Sequence, residues 1–256
     1  MSSDKEKLAE RLRMDGLPLS AKYDPEWMLA NNMGPCAVWL TEALCQTMQL
    51  EPGMRVLDMG CGKAMSSVFL AREFGVQVWA NDLWIQATDN QRRIEEAGVA
   101  DRVFPVHAEA HALPYAEEFF DAIVSIDSYH YYGTDDLYLP YFVKFLRPGG
   151  QIGIVVPGFL RDFGREIPGH LIPTYHLDWY SFHTPEWWRW HWEKTRLIEI
   201  ERAELIPDGW SLWLHWEETS DSLGKSVHGS DAEVLRADGG QNIGLVRVVG
   251  RRVVSQ

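Results

Sequence analysis

Two rhythms of apolar residues alternate along the first 156 positions of the chain. Short apolar runs, bounded by glycine, proline or charge, read as strands. Longer stretches in which apolar residues return every third or fourth position read as helices. The first rhythm predicts strands over Met54–Asp58, Val76–Ala80, Val103–His107, Phe119–Ile126 and Gln151–Val156. The second predicts helices over 4–13, over Pro35–Gln49 and from the turn after Asp58 to Phe74. It also predicts helices over Leu83–Ala97 and Asp135–Leu146. Val38, Leu40, Leu44 and Met48 give the second helix its apolar positions, and Pro52-Gly53 ends it. Gly98 stops the helix that begins at Leu83. Strands separated by helices form right-handed crossovers, so the expected fold is α/β, a Rossmann-like doubly wound and mostly parallel sheet.

Beyond Pro157 the rhythm breaks. Residues 157–183 mix proline, glycine and aromatic residues and read as a loop with short turns. Thr184-Pro185-Glu186 is a helix start, with Thr as cap and Pro at the first position. Ile198, Ile200 and Arg202 alternate with Glu199 and Glu201, the pattern of a strand with one side in water. Gly209–Leu223 reads as helix, the polar stretch 224–241 as loop, and Ile243–Val254 as a last strand. With no repeat and no linker-like tract, the simplest division is one domain. Residues 1–50 supply N-terminal helices, 51–156 the core, and 157–256 cap elements and C-terminal strands.

Composition narrows the function. The 256 residues are 46% apolar and 24% charged, enough to bury a large core. Asp plus Glu is 37 against 24 Lys plus Arg, a net charge of −13. That excess disfavours nucleic acid and anionic membrane surfaces, which need clustered basic residues. No apolar run reaches the ~20 residues of a membrane span. The charged start MSSDKEKLAERLRMDG has no apolar signal core, and three cysteines (Cys36, Cys45, Cys61) are too few for a disulfide framework. The expectation is a reduced, cytoplasmic protein.

The densest chemistry lies in Val56-Leu-Asp58-Met-Gly60-Cys-Gly62. A strand ends in an acid, a turn follows with glycine at alternate positions, and a helix begins. Glycine there lets backbone approach a ligand that a side chain would repel, and the helix start offers free N–H groups. Asp58 can accept from an ammonium or position a water; the plainer alternative is a tight turn with no ligand. Asp82 lies 20 residues beyond Gly62 at a strand end, where an acid can hold the hydroxyl pair of a ribose. Its plainer alternative is an exposed cap for the next helix. Residues 60–65 read GCGKAM, so the third small residue of the dinucleotide fingerprint is absent, and Lys63 is not in a phosphate-loop pattern.

These blocks resemble the class I methyltransferases that use S-adenosylmethionine. The resemblance runs through VLDMGCG (56–62), the acid of AND (80–82), AEAHALPY (108–115), FFDAIVSIDSYHYY (119–132) and LRPGGQIGIV (146–155). It implies a seven-stranded sheet with the last strand antiparallel. It further implies S-adenosyl-L-methionine as cofactor, held by Asp58, Gly60, Cys61, Gly62, Asp82, Leu83, Glu109, Ala110 and Asp127. The family has Asp where Glu109 stands, beside the adenine ring; Glu accepts the same hydrogen bond from a longer arm. The acids suit a sulfonium cation, and in-line methyl transfer asks mainly for alignment and exclusion of water. The acceptor is expected to be a small molecule, with no nucleic acid and no membrane as partner; assembly as a homo-oligomer stays open.

Candidates for catalysis are His130 and Tyr131, just past the fourth strand, where ligands of open parallel sheets bind. A structural histidine is the plainer reading, and Tyr129 and Tyr132 share the neighbourhood. No metal is expected: His107 and His111 fall on a strand end and a loop, and His170, His176 and His183 are spaced unlike compact ligand motifs. Eight of the twelve tryptophans fall between Trp179 and Trp216. They either pack a C-terminal subdomain or cap the acceptor, and under the second reading at least one of Trp179, Trp187 and Trp188 touches it. A helix aromatic on both faces, as over 187–192, is usually buried. Two other functions fit such a sheet: an NAD-dependent oxidoreductase, and a non-catalytic module that binds S-adenosylmethionine. Asp58 before the glycines and Met65 at the third small-residue position speak against NAD.

Overall fold

The structure, a computed structural model, describes residues 3–164, 166–227, 229 and 231–254. Seven strands form one sheet: β1 (Arg55–Met59), β2 (Gln77–Asp82), β3 (Val103–His107), β4 (Phe120–Ile126), β5 (Leu146–Phe159), β6 (Ile198–Leu205) and β7 (Ile243–Arg252). Their order is β3-β2-β1-β4-β5-β7-β6. The pairs among β1 to β5 are parallel, and β7 runs antiparallel to both β5 and β6. This is the expected seven-stranded sheet with its last strand reversed. The edge place of β6 matches its alternating charges, since one side of an edge strand meets water.

Alternate residues of the central strands feed two different cores. Val56, Val124 and Val155 pack on one face with α3 (Ala37–Cys45), α4 (Met65–Phe74), α8 (Gly209–Ser222) and α9 (Asp231–Asp238). Leu57, Ile123 and Ile154 pack on the other with α6 (Tyr138–Phe142) and α7 (Pro185–Glu193). Burial on both faces explains why these strands read as continuous apolar runs. The remaining helices are α1 (Asp4–Arg11), α2 (Pro25–Ala30) and α5 (Ala87–Glu96).

The structure corrects several element boundaries. The stretch 135–146 is not one helix: α6 covers Tyr138–Phe142, a 3-10 turn covers Val143–Phe145, and β5 already starts at Leu146. β5 extends to Phe159 because β7 pairs with it continuously from Gln151↔Arg251 to Phe159↔Ile243. The helix expected from Leu83 starts only at Ala87, since the Asp82 carboxylate holds the intervening backbone in a turn. The expected loop 224–241 contains α9, whose last residue Asp238 accepts hydrogen bonds from the backbone of Asn242 and Ile243. Helix α2 was not foreseen, although Asp24 caps it by accepting from Glu26 N and Pro25 takes the first position. The Thr184 cap is present, with Thr184 Oγ1 accepting from Trp187 N at 3.2 Å.

The tryptophan-rich helix α7 is buried at Pro185, Trp188, His191 and Trp192 and half-buried at Trp187. Trp188 and Trp192 are fully enclosed, while Trp190 is 59% exposed and lies under the Lys194 ammonium at 4.5 Å. The second aromatic face is thus buried at His191 and open at Trp190. Between β1 and β4 the direction of winding reverses, so their carboxyl ends open a crevice at the edge of the sheet.

Candidate active site

The turn after β1 is held by its neighbours. Gly60 and Gly62 have φ of +74° and +54°, in the region that favours glycine. The N–H groups of Gly60 and Cys61 both donate to Asn81 O, at 2.8 and 3.0 Å, which ties the turn to the end of β2. A Cβ on Gly60 would stand 1.9 Å from Ser128 Oγ. The glycine is thus required by the segment after β4 as well as by any ligand.

The two acids of this region do different work. Asp58 is 0% exposed, and its Oδ2 accepts from Ser66 Oγ and Ser67 Oγ at 2.5 and 2.6 Å, while Oδ1 has no partner. Burial pushes its carboxyl up to about 6, against the two serine hydrogen bonds. It stands behind the wall of the cavity described below, anchoring the first turn of α4 from beneath through Ser66 and Ser67. Asp82 does line that cavity. Its Oδ2 accepts from Gly62 N at 2.8 Å, and its Oδ1 from Trp84 N and Ile85 N at 2.7 and 2.9 Å. The turn-holding role and a place on the cavity wall coexist, because a carboxylate has about four lone-pair sites and three are used.

A cavity of about 490 Å³ opens at the carboxyl ends of β1, β2 and β4. That is within the range of small-ligand sites. Of the residues expected to hold a cofactor, Gly60, Cys61, Gly62, Asp82, Leu83, Glu109, Ala110 and Asp127 all line it. Glu109 is turned toward His111, whose backbone N and Nδ1 lie 2.7 and 2.9 Å from its carboxylate oxygens. The His111 contact holds the Glu109 carboxyl below its usual range. Lys63, absent from the expected set, is the one Lys or Arg on this wall among the described residues. Its Nζ donates to Asn32 O at 3.1 Å, and burial lowers its pKa. The segment Asn31–Pro35 after α2 forms the opposite wall. The missed α2 had hidden that wall from the sequence reading.

A second cavity of about 210 Å³ adjoins the first. Pro35, Asp127, Tyr131 and Asp178 border both. Asp127 takes φ of +52°, and burial together with the Asp231 charge pushes its carboxyl well above the usual range. His130 lines the second cavity, 1% exposed, and burial lowers its pKa to about 3, so the ring is neutral. Tyr131 stands at the border with its phenol raised by burial. Tyr129 and Tyr132 are not beside the second cavity; Tyr129 packs against Trp188 and Trp192.

Of the three tryptophans from which at least one acceptor contact is expected, Trp179 lines the second cavity; Trp187 and Trp188 line neither. Trp188 sits in the core, and Trp187 stacks between His183 and His191 at 3.6 and 4.4 Å. The reason is helical phase: the face of α7 that carries Trp188 packs on β6 and β7. Trp213, on α8, reaches the cavity instead. His107 and His111 do not meet, and no three metal-binding side chains cluster among the described residues.

Residues 56–150 match the family model described as "Methyltransferase domain". "Methyltransferase GfsG" of Streptomyces halstedii is 36% identical over 132 residues, 50% of this chain and 48% of that protein. The chain thus spans about half the length of that curated relative. Among solved structures, Haemonchus contortus phosphoethanolamine N-methyltransferase 2 with S-adenosyl-L-methionine superposes with a TM-score of 0.74 at 19% identity, over 99% of this chain and 61% of that one. The [4+2]-cyclase SpnF superposes with a TM-score of 0.68 at 18% identity, over 88% and 84% of the two chains. Likeness at that identity shows the shared fold alone.

Proposed function

We propose that this chain, whose core over 56–150 is a class I methyltransferase domain, transfers a methyl group from S-adenosylmethionine to a small-molecule acceptor. The observation that carries this reading is the pair of adjoining cavities at the sheet's switch point, the larger bordered by the glycine turn and Asp82. The residues present fit the cofactor. The turn exposes backbone without side chains at Gly60 and Gly62, and acids outnumber the single lysine on the wall. Asp82 has a lone pair left for a ribose hydroxyl, and Glu109 with Ala110 borders the place of a purine. Lys63 suits the amino-acid carboxylate. When bound, S-adenosylmethionine supplies an electrophilic methyl group on a sulfonium. Asp127 and Tyr131, at the border of the cavities, orient the acceptor toward it and exclude water. His130, neutral and buried, is a hydrogen-bond acceptor for the bound molecule.

The one-domain reading over 1–256 rests on a sheet whose strands run from Arg55 to Arg252. A reducing, cytoplasmic setting is supported by three free buried cysteines, and no described helix is long and apolar enough to cross a membrane. Mass spectrometry of purified protein and calorimetry with S-adenosylhomocysteine test the cofactor. Binding in the micromolar range is expected. No binding of either nucleoside, or a stoichiometric NAD instead, would overturn the reading.

A further inference from the structure

Helix α5 carries a polar residue where its packing calls for an apolar one. Its buried residues are Asn90 and Ile94, one turn apart. Asn90 is 1% exposed, and asparagine is a poor helix former whose amide is costly to bury. Two hydrogen bonds account for its place. Asn90 Nδ2 donates to Gly62 O at 2.8 Å, and Asn90 Oδ1 accepts from Arg93 Nη1 at 3.1 Å. A guanidinium only donates and a carbonyl only accepts, so this orientation of the amide is the one that satisfies both neighbours.

The bond from Asn90 fixes one peptide unit of the glycine turn. The Gly62 N–H is held by Asp82 Oδ2 at 2.8 Å and the Gly62 carbonyl by Asn90, so both polar groups of this left-handed residue are committed. In a planar trans peptide the carbonyl and the next N–H point in opposite directions. Asn90 does not line the larger cavity, whereas Gly62 and Lys63 do. Drawing the Gly62 carbonyl back toward α5 therefore turns the Lys63 N–H toward the cavity. That N–H has no backbone acceptor among the described residues. A Cβ on Gly62 would stand 3.1 Å from Met33 Sδ, so the turn faces the opposite wall directly.

Resting on the reading that this cavity holds S-adenosylmethionine, we propose that Asn90 is a positioning residue for the cofactor's amino-acid end: it keeps the Lys63 N–H as a backbone donor for that carboxylate. The opposite arrangement of the peptide, with the Gly62 carbonyl toward the cavity, sets oxygen against oxygen. Glycine by itself leaves this peptide free to rotate, and the hydrogen bond from α5 removes that freedom. Asn90 thereby acts on the ligand through the turn without touching it.

The test is calorimetry with S-adenosylhomocysteine and with 5′-methylthioadenosine, titrated to millimolar concentration. The two share the nucleoside and the sulfur, and only the first has the amino-acid end. Asn90→Asp keeps the size of the side chain and an acceptor for Arg93, but sets an acceptor against the Gly62 carbonyl. It should weaken S-adenosylhomocysteine at least tenfold and 5′-methylthioadenosine less than twofold. Asn90→Ala brings no new charge and serves if Asn90→Asp does not fold. It should weaken S-adenosylhomocysteine at least threefold, again sparing 5′-methylthioadenosine, which separates peptide orientation from simple repulsion. A merely structural asparagine would lower the melting temperature and weaken both ligands alike. Equal losses for the two ligands, or unchanged affinity for S-adenosylhomocysteine in a folded variant, would overturn the positioning role and leave the methyltransferase reading standing. A wild type that does not bind S-adenosylhomocysteine would overturn that reading and the positioning role with it.

Discussion

Asp58 and Asp82 end neighbouring strands, and their environments give them different fates. Asp58 is sealed under α4 with two serines, whereas Asp82 faces the cavity with three backbone N–H groups already on it. Asp82→Ala should therefore weaken S-adenosylmethionine by about 1–3 kcal/mol, through the lost hydroxyl acceptor and a loosened turn. Calorimetry with unchanged affinity would remove Asp82 from the site. Gly60→Val should fare worse, because the Ser128 side chain already occupies the space of a Cβ and the positive φ excludes a β-branched residue. A folded Gly60→Val protein with normal binding would contradict that packing. Glu217 offers a pH test. Burial, then the Asp231 charge, raises its carboxyl to about 8, above the roughly 4.3 of an unfolded chain. A raised carboxyl contributes stability that is complete below the unfolded value and is lost as pH rises through the folded one. The wild type should thus lose stability relative to Glu217→Gln between pH ~4.5 and ~8, read as melting temperatures of both proteins across that window. Parallel curves would place the charge elsewhere.

At the scale of elements, α7 separates the tryptophans that build the fold from those that do not. Trp188 and Trp192 close the core against Tyr129, β6 and β7, while Trp190 stands in water. Trp188→Ala should cost about 3–5 kcal/mol of unfolding free energy, and Trp190→Ala less than about 0.5. Urea titrations of the two variants would expose an error if they shifted alike. The helix after the glycine turn and the segment after α2 form opposite walls of the larger cavity, so a site of this kind depends on elements more than 20 residues before the motif as well as after it.

For the whole molecule, net charge and cavity charge have the same sign. The chain carries −13, and both cavities are bordered by carboxylates. A cationic acceptor should be steered in and an anionic one held off, an effect that salt screens over about 8–10 Å at ordinary ionic strength. Turnover of an amine acceptor at low concentration should fall as salt rises from about 0.02 to 0.5 M, where the Debye length shrinks severalfold. Turnover of a neutral acceptor should stay flat. A screen in which only phosphorylated acceptors are methylated would defeat the charge argument. In-line methyl transfer needs alignment and exclusion of water rather than a metal ion, so EDTA should leave turnover unchanged. Loss of activity restored by one divalent ion would reverse that expectation.

Local periodicity and turn chemistry are written in adjacent residues. That is why the strands of the sheet, the glycine turn, the cap at Thr184 and the charged edge of β6 were legible from sequence alone. The larger cavity's wall was legible for the same reason, because its motif residues follow one another along β1, β2 and β4. Helix α9 was not legible, since it is short and polar and is held by contacts of Asp238 with the start of β7. The extent of β5 depended on a partner strand almost a hundred residues later. Which tryptophan meets a cavity depended on helical phase: Trp179 and Trp213 face in, and Trp188 is spent on packing. Asp58 could not be told from a ligand-facing acid, because its burial under Ser66 and Ser67 is set by how α4 closes over β1. Sequence fixes what each residue is able to do. Only the close packing of segments distant in the chain decides which side chains keep a free face for a ligand and which spend it on their neighbours.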